Sequence, residues 1–189
     1  MRRVLGNRTF VTILVAVATA NLLMFAVQRW IALPLYVPSP SMQPALQRGD
    51  RILVRRSYDS PAKLAARIDR GDVLVFRAPQ KGSPLVVKRV IGLPGESIEA
   101  RNGLIAIDNE KTLVEKWIPE SEREAGSPAA DTVDIKRTFL EDDEVFLLGD
   151  NRDNSIDSRS FGPVKLDRVV GTVVGRYWPF RRWGEVDFI

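Results

Sequence analysis

The chain has no histidine and no cysteine in its 189 residues. Without histidine there is no Ser-His-Asp triad, no imidazole metal cluster and no side chain that titrates near neutrality in its ordinary state. Without cysteine there are no disulfides, no thiolate nucleophile and no Cys-based metal site. The lack of cysteine suits either side of a membrane and leaves the redox compartment open. A nucleophilic hydroxyl in this chain would have to give its proton to something other than imidazole.

Acidic residues are missing from one place in particular. Residues 1–30 hold Arg2, Arg3, Arg8 and Arg29 and no acid, which accounts for the net charge of +4. The remaining 24 basic residues match the 24 acidic ones. A surplus confined to one end suits a membrane surface better than a phosphate backbone, so nucleic acid is not an expected partner.

That end also carries FVTILVAVATANLLMFAV, Phe10 to Val27, an uncharged and mostly apolar run. As a helix its 18 residues reach about 27 Å, close to the ~30 Å of a bilayer's hydrocarbon core. Thr12, Thr19 and Asn21 are tolerable there, since their polar groups can bond within the helix. The arginines before the run outweigh Arg29 after it, which places the amino terminus in the cytoplasm and the rest outside. Ala18-Thr19-Ala20 offers the rival reading of a cleaved signal peptide, but the apolar run continues past it to Val27. The expected organisation is a cytoplasmic terminus (1–9), a transmembrane anchor (10–28), an interfacial linker (29–36) and an extracytoplasmic domain (37–189). Trp30 and Tyr36 fall where an aromatic belt would lie.

After the anchor the apolar pattern alternates. Segments 51–54, 73–76, 85–91, 97–100, 104–107, 144–148 and 169–178 read as strands, separated by clusters of Gly, Pro, Asn and Asp. Residues 61–68 read as a short helix or helical turn, and the polar stretch 121–132 as a surface loop. The fold class is mainly β. Two Arg-Gly-Asp triplets, 48–50 and 70–72, each run into a strand; they suit a turn, and an adhesion ligand is the other reading.

Three segments carry chemistry. VPSPSMQPAL (37–46) puts two serines among three prolines, as a linker or as a stiffened loop that holds a hydroxyl in one pose. LVVKRVIGLPGE (85–96) sets Lys88 on one face of a strand and Arg89 on the other, so one of them points the same way as valines. An inward Lys88 would lose affinity for its proton through desolvation, whereas a guanidinium stays charged. LLGDNRDNSIDSRSFG (147–162) suggests a calcium loop, but counting from Asp150 it has Ser155 where Gly is needed and Phe161 where Glu is needed. No metal and no cofactor is expected.

In this order, S-P-S-M-Q-P-A-L, then R-G-D-V-L-V-F and V-K-R-V-I-G-L-P-G-E, then G-D-N-R-D-N-S-I-D-S-R resemble the type I signal peptidases, in a compact form with a single anchor. Ala45 departs from the Thr often found there. The resemblance implies a complex, barrel-like β fold behind one transmembrane helix. It implies Ser41 as nucleophile, Lys88 as general base, and Ser39 with the Ser41 N–H as the oxyanion hole. It gives Ser155 the orientation of the lysine, and Asp157 and Arg159 structural support as an ion pair. The implied substrates are signal peptides of secreted preproteins with A-x-A-like sites, the implied surroundings membrane lipid and the secretion translocon. Two rivals remain: a relative dedicated to one substrate, such as a conjugation pilus component, and an anchored adhesion module. The aromatic tail, 177–188, reads either as an interfacial contact or as a packed last strand.

Overall fold

The computed structural model describes residues 6–30, 32–109, 111–118 and 134–186, and within the first helix the side chains of residues 9–22. The polar stretch read as a surface loop, 121–132, lies outside the described residues. In chain order the elements are α1 (Gly6–Trp30), β1 (Ala32–Tyr36), β2 (Arg51–Arg56), α2 (Pro61–Ala65), β3 (Val73–Arg77), β4 (Leu85–Gly92) and β5 (Ser97–Arg101). They continue with β6 (Leu104–Ile107), β7 (Lys111–Thr112), β8 (Ile135–Phe139), β9 (Glu144–Leu148), α3 (Ser158–Phe161), β10 (Val164–Lys165) and β11 (Val169–Trp178). The strands form a seven-stranded sheet, β1-β2-β11-β3-β4-β9-β10, and a four-stranded one, β7-β6-β5-β8. Pairing is antiparallel throughout.

Sequence pattern explains which strands lie where. In β2, Ile52 and Val54 are buried while Arg51, Leu53 and Arg55 face out, the alternation of a sheet with one wet face. VLVF of β3 and VFLL of β9 are buried on both faces, which requires unbroken apolar runs. The β5–β6 hairpin turns on Asn102 and Gly103, both at positive φ, as a two-residue turn of this twist demands. Three apolar clusters result. One lies over the small sheet with Trp117 and Ile118, one is built around Leu74, Phe76 and Leu147, and one joins Val37, Met42 and Leu46 to β2, β3 and β11.

Each of the seven strands read from sequence is present, mostly to within one or two residues. The four strands not anticipated are short or polar. β1 (ALPLY) holds Pro34, and it forms because it is an edge, where a missing N–H is harmless. The stretch assigned to a linker, 29–36, is therefore in large part a strand paired with β2. Residues 61–68, read as a short helix or helical turn, hold a helix over Pro61–Ala65 that ends in turn.

Among the described residues no helix is long and apolar enough to cross a membrane, so the expected transmembrane helix is not found there. The described side chains of α1 form an apolar surface. Phe10, Ile13, Leu14, Val17 and Leu22 are all exposed. Its polar groups bond inward, Thr19 Oγ1 to Val15 O (2.9 Å) and Asn21 Nδ2 to Val17 O (2.7 Å).

Candidate active site

The two serines sit on a loop with a closed neck. Val37 N donates to Asp50 O and Gly49 N to Val37 O, both at 2.9 Å. Within it Gln43 N bonds Pro40 O (3.0 Å) and Leu46 N bonds Met42 O (2.7 Å), so residues 40–46 wind as one compact turn. Met42 and Leu46 bury their side chains in the core, which roots the turn and leaves Ser41 half-buried at its top. This is a packed loop of the compact kind that carries function, and no linker.

Lys88 arrives from β4, opposite Leu74, and is 3 % exposed. Its Nζ donates to Ser41 Oγ at 2.7 Å and to Val87 O at 3.1 Å. Burial is the main influence on this amine, and it outweighs the pull of Asp157 and Asp150; the pKa falls from 10.5 to about 8. Ser39 Oγ lies 3.2 Å from Ser41 Oγ. Ser39, Ser41 and Lys88 are thus brought together from two segments 47 residues apart.

The choice between an inward Lys88 and an inward Arg89 proves false. β4 is covered on both faces, and Arg89 is buried more completely than Lys88. The Arg89 guanidinium bonds Asp150 through Nε (2.8 Å) and Nη2 (2.7 Å), and Gly71 O through Nη1 (2.8 Å). The Trp117 ring lies 5.1 Å from its charge centre. Arg89 and Asp150 are not among the site residues the resemblance implies; the sequence signal for them is a Lys-Arg pair within an apolar strand.

The 147–162 segment forms the other wall. Asn151 N donates to Ser41 O (3.2 Å) and its Nδ2 to Pro40 O (3.3 Å), which ties this wall to the serine turn. Gly149 permits the approach: a Cβ there would lie 2.5 Å from Ser41 O and 2.2 Å from Ser155 Oγ. Asp157 is fully buried at the start of α3 and accepts from Gly149 N (3.0 Å) and from Arg159 Nε (2.8 Å) and Nη2 (2.9 Å). Burial alone would raise its pKa; the Arg159 guanidinium and the Gly149 N–H outweigh that and hold the carboxyl below its usual value. Arg152, a further residue not foreseen, joins Gly149 O (3.0 Å) to Glu115, a buried carboxylate reached at 2.7 Å.

Ser155 stands differently from its expected place. Its hydroxyl is buried and makes no well-shaped hydrogen bond, although it lies near enough to Asp157 to help stabilise that carboxylate. It packs against Gly149, while the Lys88 amine turns to Ser41 and Val87 instead. The expected bond between Ser155 and the lysine is not formed. Asp150, the first position of the calcium-loop reading, is engaged by Arg89, and Asp157 by Arg159. Among the described residues no group of three or more metal-ligating side chains occurs.

Residues 8–178 match the family model described as signal peptidase, peptidase S26. A probable signal peptidase I-1 from Synechocystis sp. is 34 % identical over 183 residues, covering 92 % of this chain and 83 % of the relative. A signal peptidase IB from Staphylococcus aureus (strain COL) is 29 % identical, with 88 % of each chain covered. Among solved structures, a signal peptidase I from Enterococcus faecalis V583 is 31 % identical with a TM-score of 0.48, covering 56 % of this chain and 95 % of that one. The chain belongs to the signal peptidase family, peptidase S26.

Proposed function

We propose that this protein is a membrane-anchored serine endopeptidase that removes amino-terminal signal peptides from exported preproteins, with Ser41 as nucleophile and Lys88 as its base. One observation carries the assignment of roles: the 2.7 Å contact between a buried, pKa-lowered amine and a half-buried hydroxyl in a chain with no histidine. Neutral Lys88 takes the Ser41 proton as Oγ attacks the scissile carbonyl. The ammonium so formed passes a proton to the leaving amine, and the acyl ester is hydrolysed by water activated through the same lysine.

Ser39 and the Ser41 N–H supply the donors for the oxyanion. Ser39→Ala should lower kcat by about 10²- to 10³-fold with little change in KM, the loss seen when one oxyanion donor is removed elsewhere; steady-state kinetics on a preprotein checks it. Asp157 and Arg159 hold the wall around Gly149 and carry no proton. Ser155 packs against Gly149 of the same wall.

The anchor reading rests on the uncharged run Phe10–Val27, on the 25-residue length of α1 and on the exposure of its described apolar side chains. The arginine bias places the amino terminus in the cytoplasm and the sheets on the outer side, beside lipid and the secretion translocon. A substrate lying as an added strand would present alternate side chains to shallow apolar pockets, the use to which small A-x-A residues are suited. The adhesion alternative loses its ligand in the first Arg-Gly-Asp turn, whose Asp50 is 2 % exposed and paired internally.

The test is cleavage of an A-x-A preprotein in detergent or liposomes across pH. Below the Lys88 pKa the rate kcat/KM should rise about tenfold per pH unit and level off near pH 8. Ser41→Ala should fold and cleave nothing. Full activity in that variant overturns the assignment.

A further inference from the structure

The serine turn is held from two sides, and only one of them belongs to the wall already described. The second hold comes from the carboxy-terminal segment. After β11 a short 3-10 turn, Phe180–Arg182, folds the chain back, so that Arg176 N donates to Gly184 O (2.8 Å) and Gly184 N to Arg176 O (3.1 Å). The return brings two guanidiniums beneath the turn that carries Ser41.

Arg182 Nη1 donates to both Asp50 carboxylate oxygens at 3.0 Å, and its Nη2 reaches Ala45 O (3.3 Å) and Pro44 O (3.4 Å). Arg176 Nη1 donates to Ala45 O at 2.8 Å and lies 3.6 Å from Asp50 Oδ2, while its Nε donates to Arg182 O. Asp50 also accepts from Gln47 N at 2.8 Å, and its own carbonyl closes the neck of the loop. Pro44 and Ala45 come three and four residues after Ser41, within the turn that the Leu46–Met42 bond makes a single body. Whatever shifts the Ala45 carbonyl therefore shifts the Ser41 hydroxyl.

We propose that Arg176 and Arg182 are positioning residues for the reaction, which fix the aim of Ser41 and Ser39 by holding the carbonyls of Pro44 and Ala45 against Asp50. The proposal rests on Ser41 being the nucleophile. Asn151 on one side and the two arginines on the other keep the turn from rocking about its neck. The tail following β11 thereby gains a role beyond that of a packed end. Displacement by about 1 Å can reduce a rate by ~10²-fold, which sets the scale of the expected effect.

The experiment uses the full chain in detergent with an A-x-A preprotein. Arg182→Ala and Arg176→Ala should each lower kcat by about 10- to 100-fold, with KM within about twofold of the parent. Arg181→Ala, at an exposed position on the same turn, should leave both constants unchanged. The deciding readout is combination with Ser39→Ala. If the clasp aims the turn, the double variant loses much less than the product of the single losses, because the oxyanion donor is already misplaced. Losses that multiply, or a kcat within twofold of the parent in both single variants, overturn the proposal. If Arg182→Ala does not fold, Arg182→Lys takes its place: an ammonium keeps the Asp50 pair but has no planar fork to span both carbonyls. The same non-additivity is then expected, and its absence is equally fatal. Undiminished cleavage by Ser41→Ala is the separate result that would remove the nucleophile reading itself.

Discussion

Replacing Lys88 by methionine is expected to abolish cleavage and, in the same protein, to raise its stability at neutral pH. The two effects have one cause. The amine is 3 % exposed and its pKa is lowered from 10.5 to about 8, chiefly by burial. Because the folded value is the lower one, the unfolded chain binds the proton more strongly. Stability therefore rises with pH between about 8 and 10.5, and below that window the whole penalty is present. At ~1.4 kcal/mol per pKa unit the penalty is on the order of 3 kcal/mol. Methionine fills a similar volume with no charge to desolvate. The gain should appear as a melting temperature higher by about 6–12 °C, given ~2–4 °C per kcal/mol for a chain of this size. Loss of the proposed base should lower kcat/KM by on the order of 10⁴-fold. Melts and kinetics on one preparation check both, and a Lys88→Met protein that is inactive and less stable would show the lysine to be mainly a structural strut. The wild-type chain should itself become more stable as pH is raised from 8 toward 10.

Arg89→Met should do the opposite to the fold. It removes the partner of Asp150 where both side chains have no measurable exposure, and leaves a carboxylate in the core without its two charge-assisted bonds. Breaking such a pair from one side costs about 3–5 kcal/mol. The Trp117 ring loses the cation it covers, and Gly71 O loses a donor. Replacing both partners with apolar residues, Arg89→Met with Asp150→Leu, should recover most of that loss, since no orphaned charge remains. Urea midpoints of the two single variants and the double variant give the coupling. Recovery in the double variant would locate the damage in the unpaired charge, whereas no recovery would locate it in lost packing around Trp117.

What could be read beforehand divides along physical lines. Strands with clear alternation or unbroken apolar runs, such as β2, β3, β6 and β9, were legible because burial is written in residue type. β1 and β8 were hidden: proline in one and Lys-Arg-Thr in the other mark edges, where tertiary pairing outweighs local preference. The serine and lysine segments were legible from the absence of histidine together with the resemblance of three motifs. The bonds among Arg89, Asp150, Glu115 and Arg152 were not, since charged residues in sequence look solvated until a second sheet is laid over them. Ser155 shows the reverse limit. The motif resemblance implies that it orients the lysine, but a rotamer cannot be read from a motif, and in this geometry its hydroxyl does not reach the lysine.

The strand order has a consequence in time. Ser41 hangs from the β1–β2 hairpin, and Lys88 rides on β4 beside β3; in the large sheet these halves meet only through β11, which lies between β2 and β3. β11 is the last strand among the described residues. A growing polypeptide therefore holds the Ser41 hydroxyl and the Lys88 amine on separate pieces of that sheet until β11 has been made, and a chain cut short before residue 169 would keep both residues and lack the strand that joins their halves. On the proposed assignment, the meeting of hydroxyl and amine waits for that one strand.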